Sequence, residues 1–522
     1  MPPADVPEEV LTTPLTDLLV RNAAEDRPAF TCRVFPGPGN HTDHTLTWPQ
    51  LLARVRGVAR ELRRVTRPGD RVAIVARQDL GYVVGFLGTL YAGLVAVPLS
   101  VPTGRTHRAR LESALADATP SVILTSKDFL DSLASRPEVL LVIDDIEPDD
   151  AEPPAAVAMS DPAYLQYTSG STSRPAGAVI SHRALVASCW QTTDCYHADA
   201  STPLAGWVPF FHDMGLVLLI GTPVFLGARS VFFTPMEFVR DPLRWIRLLA
   251  DHPGAITAAP NFAFDLAAEA AEAAGDLEDV DLSHVNSVLN GSEPVRAATV
   301  EAFDRAFAPF GLPRAAHKPC YGLAEATVFV ASAGDEGPTV TAFDREALVS
   351  SGRPYGQRVQ IVDKEIWVSG PNVADGYWGR PERGDAFTGD GWLRTGDLGF
   401  FHDGQLYVTG RLKDLIIVDG RNHYPQDIEA TIEAAHPAVR AGRVAAFAVR
   451  DARGEGVAAV VGAADHDDSV ATAVRRAVSA GHDLPLRGLW LVRPGAVPRT
   501  SSGKVSRAAA RDRWWGENGR HD

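Results

Sequence analysis

Lysine stands at only five positions, 127, 318, 364, 413 and 504, in a chain whose Lys and Arg together number 50. Where Arg is the default cation, each Lys is a candidate for work that needs a slim, mobile, compact charge. Lys504 lies in the Gly/Ser-rich run "PRTSSGKVSR", between two serines and an apolar residue. A second hydroxyl-rich run, "YTSGSTSRPAGAV" (167–179), sets Thr168, Ser169, Gly170, Ser171 and Thr172 between hydrophobic segments. Successive backbone N–H groups there could wrap a polyphosphate, with hydroxyls as further donors. The same composition serves a linker or a turn. The G-x-x-x-x-G-K-[ST] spacing of a Walker A loop is absent.

Three other stretches carry reactive side chains. "PCYGLAEAT" sets Tyr321 beside Gly322, with Glu325 four residues on; a tyrosine face can stack on a purine, and a carboxylate can hold Mg²⁺ against phosphate oxygens. A helix start with a surface Glu reads equally well. "RTGDLGF" places Asp397 after Gly396, where it could accept hydrogen bonds from ribose hydroxyls or simply close an Asp turn. "WVPFFHDMGL" flanks His212 with aromatics and Asp213; it suits a substrate contact or a satisfied core histidine.

The elements that must position these residues alternate. "TWPQLLARVRGVARELRRV" reads as an amphipathic helix capped by Thr47 with Pro49 in its first turn. "GDRVAIVA" and "SVILTS" read as apolar strands. Leu80–Leu99 is uncharged and about long enough to span a bilayer, but its four glycines and Pro98 favour a buried helix, a stop at Gly93 and a strand. Such βα alternation predicts largely parallel sheets covered by helices, an α/β class. "DDIEPDDAEPPAA" reads as a surface connection. Near Gly410 the texture changes to an Asp-Gly hairpin, "DGQLYVTG", then to a strand, a loop and a helix from Pro425. The expected division is residues 1–410 and a smaller α+β domain, 411–522.

At 522 residues two or three domains are expected. A net charge of -15 argues against general nucleic-acid or anionic-membrane binding. Cys32, Cys189, Cys195 and Cys320 show neither metal-ligand spacing nor disulfide density, and read as reduced, mostly buried thiols. The N-terminal residues lack a basic region followed by an apolar one, so a cytoplasmic protein is expected.

Taken in order, "YTSGSTSRPAGAV", "WVPFFHDMGL", "APNFAFDL", "NGSEPV", "YGLAEAT", "RTGDLGF", "GRLKDLIIVDGRNHYPQDIE" and "PRTSSGKVSR" resemble the adenylate-forming superfamily of acyl-CoA synthetases, luciferases and peptide-synthetase adenylation domains. "FFHDMGL", "APNFAFDL" and "GRNHYPQDIE" resemble its fatty acyl-AMP ligases in particular.

The resemblance implies a large N-terminal domain of βα-layered sheets and a small mobile C-terminal domain. It implies ATP and Mg²⁺ as cofactors, a fatty acid as substrate and an acyl carrier protein as acceptor, with no nucleic acid and no membrane span. By position, Thr168, Ser169, Gly170, Ser171 and Thr172 would form the phosphate loop, and Glu325, with Thr168, would bind Mg²⁺. Tyr321 and the backbone of Asn290, Gly291, Ser292 and Glu293 would sandwich adenine, with Gly322, Leu323 and Ala324 alongside. Asp397 and Arg411 would hold ribose, Lys413 would mark the hinge, Lys504 would bridge acyl carboxylate and α-phosphate, and His212 would lie beside the carboxylate.

Departures are visible too. Ala176 stands where acyl-CoA synthetases usually carry a lysine. Pro338–Pro354 matches a family insertion that hinders CoA use but is shorter than usual, and the hairpin tip at Asp363 and Lys364 is trimmed. A fatty acyl-CoA synthetase, and a non-catalytic nucleotide-binding protein on this scaffold, therefore stay open beside the ligase. "GLVLLIGTPVFLG" and "APNFAFDL" are candidate tunnel walls or ordinary core, and Arg507 and Arg511, four apart in "KVSRAAARDR", are a candidate basic patch for an acidic carrier.

Overall fold

The computed structural model describes all residues except 1–4, 38–39, 103–104, 135, 137, 168–175, 276, 344–345, 381–384, 419–420, 452–453, 483, 501–502 and 519–522. The hydroxyl-rich run Thr168–Thr172 thus lies outside the described residues.

Two sheets dominate. One has nine strands in the order Arg353–Pro354, Ala331–Ser332, His317–Tyr321, Ser287–Gly291, Ile256–Pro260, Leu204–Gly206, Ser230–Phe232, Pro28–Gly37 and Asn40–Thr47. Its central strands run parallel and its edges antiparallel. The other has six, Val139–Val142, Val122–Thr125, Arg71–Val75, Val95–Pro98, Pro162–Tyr167 and Gly177–Ser181, and only its last pairing is antiparallel. Helices cover both, as continuous Val/Ile/Leu strands require.

The local chemistry follows the sequence. The helix Trp48–Val65 opens on a capping box in which Thr47 and Gln50 satisfy each other's backbone N–H. The apolar stretch after Asp79 is the buried helix Leu80–Tyr91; Gly93, at φ +75°, turns the chain into the strand Val95–Pro98. No helix among the described residues is long and apolar enough to cross a membrane. The acidic connection after Ile143 is more than a surface loop, because it straps the helix Trp48–Val65: Arg60 Nη1 pairs with Asp149 Oδ2 at 2.6 Å and Arg56 Nη1 donates to Asp150 O at 2.7 Å. All four cysteines are free, and three are buried.

A four-stranded antiparallel sheet follows, Arg358–Val362, Glu365–Ser369, Leu393–His402 and Gln405–Arg411. Its first hairpin turns tightly through Asp363 and Lys364, both at positive φ. The segment 338–354 contributes the small hairpin Val340–Phe343 with Glu346–Val349, pinned by Phe343 against Phe400 and Tyr407. Beyond Arg411 a 3₁₀ turn, Leu412–Asp414, leads to a two-stranded ribbon and to the three-stranded sheet Val439–Asp451, Gly454–Ala463 and Leu486–Val492. Helices Pro425–Ala434, Asp468–His482 and Arg507–Asn518 pack on this sheet around a core of its own.

Arg507 departs from its expected role. Its guanidinium grips Glu429 through two bonds of 2.7 Å and reaches Asp414 at 3.3 Å, so it ties the C-terminal helix to its neighbours instead of facing a partner. Arg511 is half-exposed and pairs with its neighbour Asp512.

Candidate active site

The parallel strands Ile256–Pro260, Ser287–Gly291 and His317–Tyr321 end side by side, Pro260 in register with Gly291. Ligands in such sheets gather outside the carboxyl ends of the strands, and the loops leaving these three hold most of the expected residues. Asn290 is fully buried, and its side chain faces inward to His317 Nε2 (3.2 Å) and Asn261 Oδ1 (3.4 Å). Ser292 takes φ +66°, unusual for a residue with a Cβ. Glu293 turns back to accept from Phe262 N at 3.1 Å, at the start of the helix Asn261–Ala274.

After Tyr321 the chain makes a knot of backbone contacts. Thr327 and Val328 both have positive φ, and Val328 N donates to Leu323 O at 3.0 Å. A Cβ on Gly322 would fall 1.5 Å from Val328 O, so only glycine fits. Leu323 and Ala324 are buried here, and Glu325 stands on the 3₁₀ turn Ala324–Ala326. Glu325 Oε1 accepts from Tyr377 OH at 2.7 Å.

Tyr321, Asp397 and Arg411 form a chain of partners. Tyr321 OH donates to Asp397 Oδ2 at 2.7 Å, and Arg411 Nε meets Asp397 Oδ1 at 2.8 Å. Burial and the Asp397 charge push the phenol above its ordinary range, while Asp397 raises the guanidinium. Asp397 and Arg411 are direct cross-strand partners, so the hairpin fixes their pairing. Lys413 follows in the 3₁₀ turn, its ammonium pushed below the usual range by lost solvent and then by Arg411.

Lys504 comes to the same place from the C-terminal segment. A tight turn holds it: Thr500 N donates to Lys504 O at 2.7 Å, and Arg499 Nη1 donates to Gly503 O at 2.7 Å. Arg499 also lies over the Phe262 ring, 5.8 Å from its centroid. Lys504 Nζ reaches 3.5 Å from His212 Nε2. Asp213 Oδ1 lies 2.6 Å from His212 Nδ1, and that nitrogen also faces Met214 N at 3.2 Å, so the ring is held in place with Nε2 turned to the ammonium. Loss of solvent pushes Lys504 below the usual lysine range, with Glu293 and Asp213 opposing. Burial pulls Asp213 upward, but His212 and Lys504 outweigh it and its carboxyl sits below its ordinary range.

Two cavities meet at Met214 and Ser292. The smaller is bordered by His212 and Lys504; the larger is lined by Leu218, Ala258, Leu289 and Phe329. The first expected tunnel segment lines the larger cavity through Val217 and Leu218. A π-helical turn, Val217–Gly221, forms that wall, a feature frequent at functional sites. The second segment is mainly core, with Ala259, Ala263 and Phe264 packed behind the sheet.

The structure thus gathers His212, Ser292, Glu293, Tyr321, Asp397, Arg411, Lys413 and Lys504 around one cleft. Tyr377, the partner of Glu325, was missed in sequence, since no spacing motif marks a phenol 52 residues from its carboxylate. Among the described residues no cluster of three or more metal-ligating side chains occurs.

Comparisons with known proteins agree in direction. Residues 20–378 match the model of the AMP-binding enzyme family, and 413–521 match "Disco-interacting protein 2-like, AMP domain". A 4-hydroxyphenylalkanoate adenylyltransferase of Mycobacterium tuberculosis is 39% identical, over 96% of this chain and 91% of its own. A long-chain-fatty-acid–AMP ligase of Mycobacterium marinum is 40% identical, over 96% and 98%. Among solved structures, a fatty acyl-adenylate ligase from work on E. coli and L. pneumophila superposes with a TM-score of 0.86 at 29% identity, over 98% of this chain and 99% of its own. A second, from L. pneumophila with acyl adenylate and pyrophosphate, gives 0.74 at 31%, over 98% and 97%.

Proposed function

Because the chain belongs to the AMP-binding enzymes, and among them to the fatty acyl-AMP ligases, we propose that it joins a fatty acid to ATP as acyl-AMP with release of pyrophosphate, then passes the acyl group to the phosphopantetheine thiol of an acyl carrier protein. A free carboxylate resists attack because oxide is a hopeless leaving group at neutral pH. Bonding a carboxylate oxygen to the α-phosphorus of ATP, with the P–O bond to pyrophosphate breaking, converts it to a mixed anhydride whose AMP departs readily. The thiolate then attacks the carbonyl carbon and AMP leaves.

Both reactants of the first step are anionic, so preorganised positive charge supplies the catalysis. Lys504 donates to the carboxylate and the α-phosphate together, and His212, oriented by Asp213, lies beside the carboxylate. Tyr321 and the strand-end backbone at Gly291–Glu293 flank adenine. Asp397, held by Tyr321 and Arg411, accepts from ribose hydroxyls. Glu325 and Thr168 would hold Mg²⁺, which supplies charge neutralisation on the phosphates. The fatty tail enters the larger cavity past Met214. The segment after about residue 410 turns as a unit about Lys413 between the two half-reactions.

The observation that carries this reading is the 3.5 Å approach of Lys504 Nζ to His212 Nε2 beside the smaller cavity, which meets the larger one at Met214 and Ser292. Acyl-CoA formation is the competing reading, favoured by the small size of the hairpin within 338–354. Intact-mass analysis of purified enzyme with ATP, Mg²⁺, fatty acids and either holo carrier protein or CoA decides between them. Acyl-carrier product with little acyl-CoA supports the ligase; rapid acyl-CoA formation overturns it.

A further inference from the structure

The larger cavity has a floor. Tyr196, 1% exposed, follows the helix His182–Cys195, and its carbonyl accepts from Asn286 Nδ2 at 3.3 Å. Asn286 immediately precedes the strand Ser287–Gly291, so Tyr196 sits at the amino end of that strand, opposite the reactive residues beyond its carboxyl end. From there it forms part of the lining of the larger cavity. Its OH donates to Ser332 Oγ at 2.9 Å, its face meets Phe329 edge-on at 6.2 Å, and the buried Lys318 ammonium lies 5.9 Å from its centroid. Three independent contacts fix the ring, so it does not swing aside as a solvated tyrosine would.

The depth above that floor is short. On the sheet side the lining descends from Ser292 to the register pair Ala258 and Leu289 and stops. Three strand steps of about 3.3 Å give roughly 10 Å. An extended chain advances about 1.2 Å per bond, so about eight bonds fit between the reactive end and the ring.

We propose that Tyr196 floors the acyl cavity and makes the enzyme selective for medium-chain acids of about eight to ten carbons, in contrast to a long-chain ligase. The proposal rests on the fatty-acid reading given above. Each methylene that gains burial raises kcat/KM about fourfold; one that meets the ring gains nothing and disturbs its packing. Tyr196→Leu opens the floor towards Ser332 and Lys318, and Ala258→Val raises it.

The test is kcat/KM for pyrophosphate release with straight-chain acids from butyrate to palmitate, on the wild type and both variants, with thermal melts alongside. The wild type should climb to octanoate or decanoate and fall by about tenfold or more at palmitate. Tyr196→Leu should move the break to longer acids, and Ala258→Val to shorter ones; should the first variant misfold, the second decides. A wild-type profile that climbs steadily to palmitate, or folded variants with an unmoved break, overturns the floor while leaving the fatty-acid reading intact. If no straight-chain acid releases pyrophosphate, the fatty-acid reading falls and takes this proposal with it.

Discussion

Arg296 Nη1 meets Glu433 Oε2 at 2.7 Å, joining the loop after Ser292 to the helix Pro425–Ala434 on the far side of the cleft. Arg296 also holds Asp265, and Glu433 Oε1 accepts from Gly442 N at 2.7 Å, so both partners are braced on their own side. With the Arg499–Phe262 contact, this pair holds the C-terminal segment where Lys504 can reach His212.

Glu433→Gln should therefore lower the rate of adenylate formation without changing the enzyme's fold. The pair is partly exposed, so about 1–2 kcal/mol is expected, or roughly five- to thirtyfold. Because the nucleotide contacts are untouched, the loss should appear in kcat, with KM for ATP nearly unchanged. Single-turnover rates beside ATP binding measure both.

Lys504 should set the alkaline limb. Burial lowers its pKa, so the charged form is present below the shifted value and is lost as pH rises through it. The alkaline fall in kcat/KM, which reports the free enzyme, should come below the ordinary lysine value of about 10.4. In Lys504→Arg, whose side chain stays charged, that fall should vanish at whatever lower rate remains.

The Tyr321–Asp397–Arg411 chain should be cooperative. Tyr321→Phe keeps the aromatic face and removes one charged hydrogen bond, a loss of about 1.5–3 kcal/mol expected in KM for ATP. Pairing it with Arg411→Ala in a double-mutant cycle should give a non-zero coupling, because both act through one carboxylate. Additive effects would separate them.

Arg507→Ala should destabilise the C-terminal sheet by about 3 kcal/mol or more, since it strands Glu429, whose Oε1 also accepts from Ala446 N. Binding of a carrier protein should not weaken beyond that folding defect. A urea melt beside a carrier titration separates the two.

How far the sequence revealed this molecule depends on where each signal resides. Residues whose chemistry is local were legible: the Thr47 cap, the Gly93 stop, and the Asp397, Glu325 and Lys504 motifs, each framed by glycine or hydroxyl residues that only a special backbone needs. Features made by contacts between distant elements were not. Arg296 and Glu433 are 137 residues apart, and nothing in either neighbourhood names the other. Arg507 looked like a surface charge because its partners Glu429 and Asp414 come from other elements. The run "GLVLLIG" carries the period of ordinary core, and only packing reveals that part of it walls a cavity.

In the proposed reaction one C-terminal lysine, Lys504, brings carboxylate and α-phosphate together. Acid-dependent formation of acyl-AMP, followed by mass in one turnover of wild type and Lys504→Ala at saturating Mg²⁺ and ATP, tests it most directly. The wild type should give acyl-AMP and equimolar pyrophosphate, and the variant should lose about two to three powers of ten in rate with ATP binding retained. Adenylate formed at the wild-type rate without that ammonium would contradict it.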